Sequence, residues 1–366
     1  MNIEFIDVKS NRQKVESLWN EFCTANEHSF FMSPGWIHTW IDCFQDEENL
    51  QLMIIKNGSA ATFAAIVNFQ NQLRGGIFKS RVLNMNCTGN YEKDNICIEY
   101  NHLLKIGDGD FNVNLFLKSL KEKWDEIYIP GMCMARSPGK VIRECNQSWV
   151  IYDYDKPNFW VDLSVIPKDR TDYIGSLSKR TRTHIRRTIK YYDTLGEIRL
   201  HQAASIEEAL GMLENLIALK ELIWSKKDGK SSLNEHILRH STALIKDRIK
   251  SGEIQMLKIQ AGQQIIGYIY NFVYRGHVYF YQSGFNYETD NKVSPGLLAN
   301  AEAIVYNARL GNKVYDFLAG DEHYKECFAN NKSSMVWARI LKPSIKTFAM
   351  KTLRNAQERL RSGRVK

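Results

Sequence analysis

The chain has 366 residues, 44% hydrophobic and 25% charged, with a formal net charge of +8. That composition is ordinary for a globular protein, and the length allows two domains of typical size. No apolar run of about 18 residues is present to span a membrane, and residues 1–10 lack the basic and apolar regions of a signal peptide, so a cytoplasmic location is expected.

In chain order, the first half reads as a strand over 3–8, helices over 13–25 and 34–44, and strands near 50–56, 61–69 and 82–85. A helix over 112–124 and a strand over 126–130 follow. The second half repeats that order: strand 197–201, helices 205–226 and 234–250, strands 254–260, 265–274 and 277–285, helix 295–310 and strand 314–318. The match is in pattern, not in residues, and two similar folds in tandem explain it. The seven cysteines (Cys23, Cys43, Cys87, Cys97, Cys133, Cys145, Cys327) never fall at C-x-x-C spacing, which argues against a disulfide framework or zinc site. Positive charge gathers at 179–190 (KRTRTHIRRTIK) and in the tail 342–366. The first cluster suits either phosphate binding or a solvated helix bridging two domains, and no aromatic interleaves its cationic core as a nucleic-acid platform favours. In the tail, Ile345, Phe348, Ala349 and Leu353 form one apolar helical face, expected to dock on a domain. Trp36, Trp40, Trp160, Trp224 and Trp337 suit sugar stacking or plain packing.

Residues 277–328 hold the densest signals. An apolar run at 278–281 reads as a buried strand, and Ser294-Pro295-Gly296 opens a helix with Ser as N-cap and Pro at the first position. Leu297, Ala301, Ile304, Val305 and Ala308 fall three and four apart, Gly311 ends the helix, and 314–318 is the next parallel strand. A helix N-terminus therefore sits at the carboxyl end of a buried strand, where open α/β sheets bind ligands and free N–H groups accept phosphate. Those groups belong to Gly296, Leu297 and Leu298, and Lys292 adds charge. Ser33-Pro34-Gly35 and Ser137-Pro138-Gly139 repeat the tripeptide without this context. Beyond the last strand, Asp321-Glu322-His323-Tyr324-Lys325 supplies a carboxylate, an imidazole, a phenol and an amine. It also fits a surface helix capped by Asp321 and paired to Lys325.

The stretch YDFLAGDEHYK at 315–325, with Ser294-Pro295-Gly296 upstream, resembles the GNAT-type acyltransferases of the cellulose-biosynthesis, CelD-like group, which is related in fold to the FemABX peptidyltransferases. The resemblance covers about residues 171–342, with only an echo of element order before it. It implies an α/β (α+β) chain of tandem GNAT-like domains, mixed central sheets flanked by helices. The expected division is a degenerate domain at 1–165, a basic linker helix at 166–195, a catalytic domain at 196–342 and a basic helix at 343–366. It further implies an N-acyltransferase with acetyl-CoA or another acyl-CoA as co-substrate and no metal. Two parallel strands would splay to admit pantetheine, with Ser283 and Phe285 on the first and Ser294, Gly296, Leu297, Leu298 and Lys292 at the pyrophosphate. The usual Gln/Arg-x-x-Gly-x-Gly/Ala loop is replaced by NKVSPG at 291–296.

For catalysis, Asp321 is the expected base with His323 as its alternative, and Tyr324 the acid for the thiolate. Lys325 is expected to position Asp321 or a substrate anion, and Asp316 to orient the amine. The implied acceptor is an amine of a sugar or cell-surface glycan precursor in exopolysaccharide synthesis. The alternatives are a FemABX-like aminoacyltransferase using aminoacyl-tRNA, although no sustained heptad supplies that family's coiled-coil arm, and a non-catalytic binding protein. Nucleic acid is expected only under the tRNA alternative, and peripheral membrane contact is left open.

Overall fold

The computed structural model describes residues 1–58, 61–121, 123–134, 142–146, 149–225, 234–288 and 290–362. Ser137-Pro138-Gly139 and the Trp224 side chain lie outside them. The chain divides into two compact units, Met1–Asp155 with Ser334–Lys366, and Lys156–Ser333. The boundaries thus differ from those expected: the C-terminal strand from Ser334 counts with the first unit, and the basic helix lies inside the second.

The first unit runs β1 (Asn2–Asp7), α1 (Arg12–Thr24), α2 (Pro34–Phe44), β2 (Leu50–Asn57), β3 (Ala61–Arg74), β4 (Phe78–Met85), α3 (Tyr91–Asp94), β5 (Leu104–Gly107), α4 (Val113–Ser119) and β6 (Glu126–Cys133), and takes in the start of β7 (Val150–Asp162). Ser33 caps α2, its hydroxyl accepting the Trp36 N–H at 3.2 Å, with Pro34 in the first turn. Trp36 and Trp40 are buried, so both indoles are core. β1 to β4 pair antiparallel in sequence, and β6 pairs with the strand Asn331–Leu341. β4 and β6 run parallel from Val82↔Glu126 only as far as Asn84↔Tyr128. Beyond that point Asn101 bridges them, its N–H donating to Gly131 O (3.0 Å) and its Nδ2 to Met85 O (2.8 Å). Gly131 has φ +61, and a Cβ there would collide with the Ile98 carbonyl, so the chain at 98–101 lies directly against it. The terminal helix Ile345–Ser362 buries Thr347 and Met350 while Ile345 is 91% and Phe348 62% exposed. Of the face expected to dock, Leu353 does so, packing over Gly75, while Ile345 and Phe348 face solvent and Thr347 and Met350 are buried in their stead.

The second unit contains the rest of β7, α5 (Arg170–Ser176), α6 (Lys179–Asp193), β8 (Ile198–Gln202), α7 (Ile206–Ser225), α8 (Glu235–Arg248), β9 (Ile254–Ala261), β10 (Gln264–Tyr274), β11 (His277–Phe285), α9 (Pro295–Arg309), β12 (Val314–Ala319) and α10 (His323–Glu326). β8 to β11 pair antiparallel, β11 is parallel to β12, and β12 is antiparallel to β7. The core joins Val278, Phe280, Tyr315 and Phe317 of the strands to Leu298, Ala301, Ile304, Val305 and Ala308 of α9; four of these residues belong to the stripe read from spacing, whose fifth, Leu297, packs partly buried against the same core. On α7, Ala209, Met212, Leu213 and Leu216 are buried. Gly284 lets the helix approach: a Cβ there would lie 2.5 Å from Leu216 O. The basic α6 is no free-standing linker. Its Thr181, Ile185, Thr188 and Tyr192 are buried, and Arg182 Nη1 donates to Gly175 O (2.7 Å) and Leu177 O (3.2 Å).

Candidate active site

Three local features open the edge of β11. The parallel ladder with β12 holds only at His277↔Val314, Val278↔Tyr315 and Tyr279↔Asp316. The register of β11 against β10 then slips, Tyr270 facing Gln282 and Asn271 facing Phe280, so Tyr281 is the extra residue of a bulge. A bulge bends its strand and strengthens the local twist. On the other side Leu318 takes φ +60, and β12 skips register with β7 between Asp316 and Ala319. A left-handed leucine is strained by the order of 1 kcal/mol and needs support.

The support comes from two residues expected to be catalytic. Asp316 is fully buried; its Oδ1 accepts the Leu318 N–H (2.8 Å) and its Oδ2 lies 2.9 Å from His277 Nε2. Lys325 is buried and donates to Ala319 O (2.8 Å) and Leu318 O (3.4 Å), with Glu322 Oε2 at 2.9 Å. Both hold the kinked end of β12, where Asp316 was expected to orient the amine and Lys325 to position Asp321 or a substrate anion.

Below the parted strands lies a cavity of about 460 Å³, lined by Lys220, Ser283, Phe285, Glu288, Ser294, Gly296, Leu297 and Tyr324 among others. Ser283 and Phe285, expected on the donor strand, are there. At the start of α9 the Ser294 side chain makes no cap bond. Its N–H donates instead to Thr188 Oγ1 of α6 at 2.9 Å. Leu297 and Leu298 N–H both donate to Ser294 O, at 3.1 and 3.2 Å. Of the three amides expected for phosphate, only that of Gly296 meets no acceptor among the described residues. A Cβ on Gly296 would stand 3.1 Å from the Phe285 ring. Lys292 is exposed and outside the lining, its N–H turned to Asp290 Oδ1 (2.9 Å).

The five-residue motif divides. Tyr324 turns inward, edge-on to Phe317 (5.9 Å) and Phe280 (6.3 Å), and burial, with Glu322 adding to it, pushes its phenol pKa well up, so it stays protonated. Asp321 is exposed, paired to Lys156 at 3.0 Å, and held below the usual carboxylate range by that hydrogen bond. His323 is exposed, 3.5 Å from Glu326. Neither lines the cavity. Glu288 and Lys220, not singled out from sequence, do. Glu288 accepts from Tyr192 OH at 3.3 Å. Lys220 reaches Gln282 Oε1, and burial draws its pKa down to about 8. The signal for Lys220 was present: Ala209, Leu213, Leu216 and Lys220 continue one helical stripe, with a cation where an apolar residue belongs.

The parted parallel strands, the bulge and the helix start all fall within residues 179–326, which match the family described as Acetyltransferase (GNAT) domain. Among solved structures, the chain is similar to a conserved protein of unknown function from Bacteroides thetaiotaomicron (TM-score 0.52, 10% identity, covering 93% of this chain and 100% of that one). It is also similar to FemX (TM-score 0.51, 10% identity, 92% and 97%). A third likeness is to the C-terminal domain of a putative lysylphosphatidylglycerol synthetase from Agrobacterium fabrum (TM-score 0.50, 7% identity, 92% and 96%). No curated protein matches. Among the described residues no group of three or more His, Cys, Asp or Glu side chains is placed to hold a metal ion, and no helix is long and apolar enough to cross a membrane.

Proposed function

We propose that the second unit is an acyl-CoA-dependent N-acyltransferase, acting in the cytoplasm on an amine of a sugar or cell-surface glycan precursor. The observation that carries this is the parting of β11 from β12 above the cavity and the Gly296 amide. Pantetheine lies along the β11 edge from Phe280 to Phe285, and the pyrophosphate meets the Gly296 N–H at the positive end of α9. The acceptor nitrogen attacks the thioester carbon and gives its proton to Glu288, the carboxylate of the cavity, in place of Asp321. As the C–S bond breaks, the thiolate takes the Tyr324 proton. The glycan acceptor is supported by the CelD-like resemblance of residues 315–325.

The test is calorimetric titration of the full chain with acetyl-CoA and octanoyl-CoA, beside Gly296→Glu. The variant places a carboxylate at the phosphate position and crowds Phe285, 3.1 Å from the new Cβ. Binding by the native chain and its loss in a folded variant are expected. Equal affinity in both removes the phosphate assignment.

A further inference from the structure

One titratable group of the cavity has no part in that reaction. Lys220 lines it from α7, its Nζ held by the Gln282 side-chain carbonyl on β11, directly after the bulge. Among the described residues no carboxylate pairs with it. The other titratable side chains around the cavity are Glu288, bonded to Tyr192, the exposed Tyr287, and Tyr324, whose pKa is raised by burial. Burial leaves Lys220 with a pKa of about 8, so a neutral amine is present at neutral pH far more than on a surface lysine. A neutral amine and a thioester confined together are the reactants of an acyl transfer at high effective concentration.

We propose that Lys220 is a self-acylation site: its Nζ, facing the cavity that the preceding reading assigns to the thioester, takes the acyl group when no acceptor is bound. The nitrogen lone pair forms the new C–N bond to the acyl carbon. The C–S bond breaks, coenzyme leaves as thiolate, and the proton shed by the nitrogen ends on the thiol. The product is a neutral amide that occupies part of the cavity and cannot be recharged, so modification switches the site off.

The full chain is incubated with acetyl-CoA, and in parallel octanoyl-CoA, and digested for mass spectrometry, with binding measured by calorimetry on the same samples. One acyl group is expected on Lys220, at a rate independent of protein concentration and at least about tenfold above that of exposed Lys292. Lys220→Arg should lose the modification while still binding donor. Gly296→Glu should suppress it with Lys220 intact, which keeps the test open if the arginine variant does not fold. Binding without preferential acylation of Lys220 overturns self-acylation alone. Absence of binding heat with both donors removes the donor-site reading and this proposal together.

Discussion

Replacing Lys220 by Met should stabilise the second unit at pH 7. The ammonium's ordinary pKa of 10.5 falls to about 8 because burial removes its water. The gap of about 2.5 units, at about 1.36 kcal/mol each, means the folded state gives up about 3 kcal/mol to keep this group protonated. Between pH 8 and 10.5 the unfolded chain binds more protons than the folded one, so native stability rises with pH across that window. Below pH 8 the full cost is present. Methionine keeps the unbranched stem and removes the charge, but the Gln282 hydrogen bond is lost with it, about 1 kcal/mol. The net expectation is a variant more stable by about 2 kcal/mol at pH 7, with the advantage falling to about zero by pH 10. Urea unfolding of both proteins at pH 7, 8, 9 and 10 measures this. A variant less stable at pH 7, or a difference that does not change with pH, would refute the desolvated lysine.

Three further outcomes are expected. Thr188→Val removes the acceptor for the Ser294 N–H (2.9 Å) at the start of α9; losing about 1 kcal/mol of ordering should weaken acetyl-CoA binding about fivefold by calorimetry, and unchanged affinity would show the loop is held without it. The same titration should give one coenzyme per chain, because Asn101 occupies the gap between β4 and β6 in the first unit, and a stoichiometry of two would contradict that closure. His240, fully buried, has its pKa lowered to about 3 by burial, with Arg239 adding to it. The unfolded chain then takes up a proton near pH 6.5 that the folded one refuses, so stability falls as pH drops from 6.5 towards 3, and His240→Leu should flatten that slope in acid unfolding followed by circular dichroism.

Most helices and strands of both units were legible because hydrophobic period is a local property, although β5, β7, α5 and the strand Asn331–Leu341 were not read, and α9 buries four of the five residues its spacing picked out. The tandem order and the helix start after a buried strand were legible for the same reason, while the parting of the strands was only what the resemblance implied. The chemistry of residues 321–325 was not. Proximity in sequence suggested a shared site, but α10 spans only His323–Glu326, and so short a turn sends Tyr324 inward, Lys325 to the carbonyls of β12, and Asp321 and His323 to solvent. The bulge at Tyr281 and the left-handed Leu318 depend on cross-strand register and on bonds from Asp316, which no single segment reveals. Lys220 was visible as an interruption of an apolar stripe, yet its meaning required knowing that the stripe ends at a cavity.

The two units also show why one parallel gap is open and the other shut. In each, the parallel pair holds for three residue pairs and then stops. In the first unit the edge groups so exposed are answered from within: Asn101 bonds Gly131 O and Met85 O, Asn86 Nδ2 donates to Asn101 Oδ1 (2.8 Å), and the connecting chain takes positive φ at Asn86, Cys97 and Tyr100 to get there. Three such conformations cost on the order of 1 kcal/mol each, a strain maintained only because the bonds over-determine the loop. In the second unit the strain sits instead at Leu318, and Asp316 and Lys325 are used to keep β12 bent away from β11. Pairing β11 with β12 along its whole length would satisfy more backbone groups and release that strain. Asp316 and Lys325 hold β12 in that bend, and on the function proposed above an amide-bearing chain such as pantetheine would take the place of the missing ladder with β12.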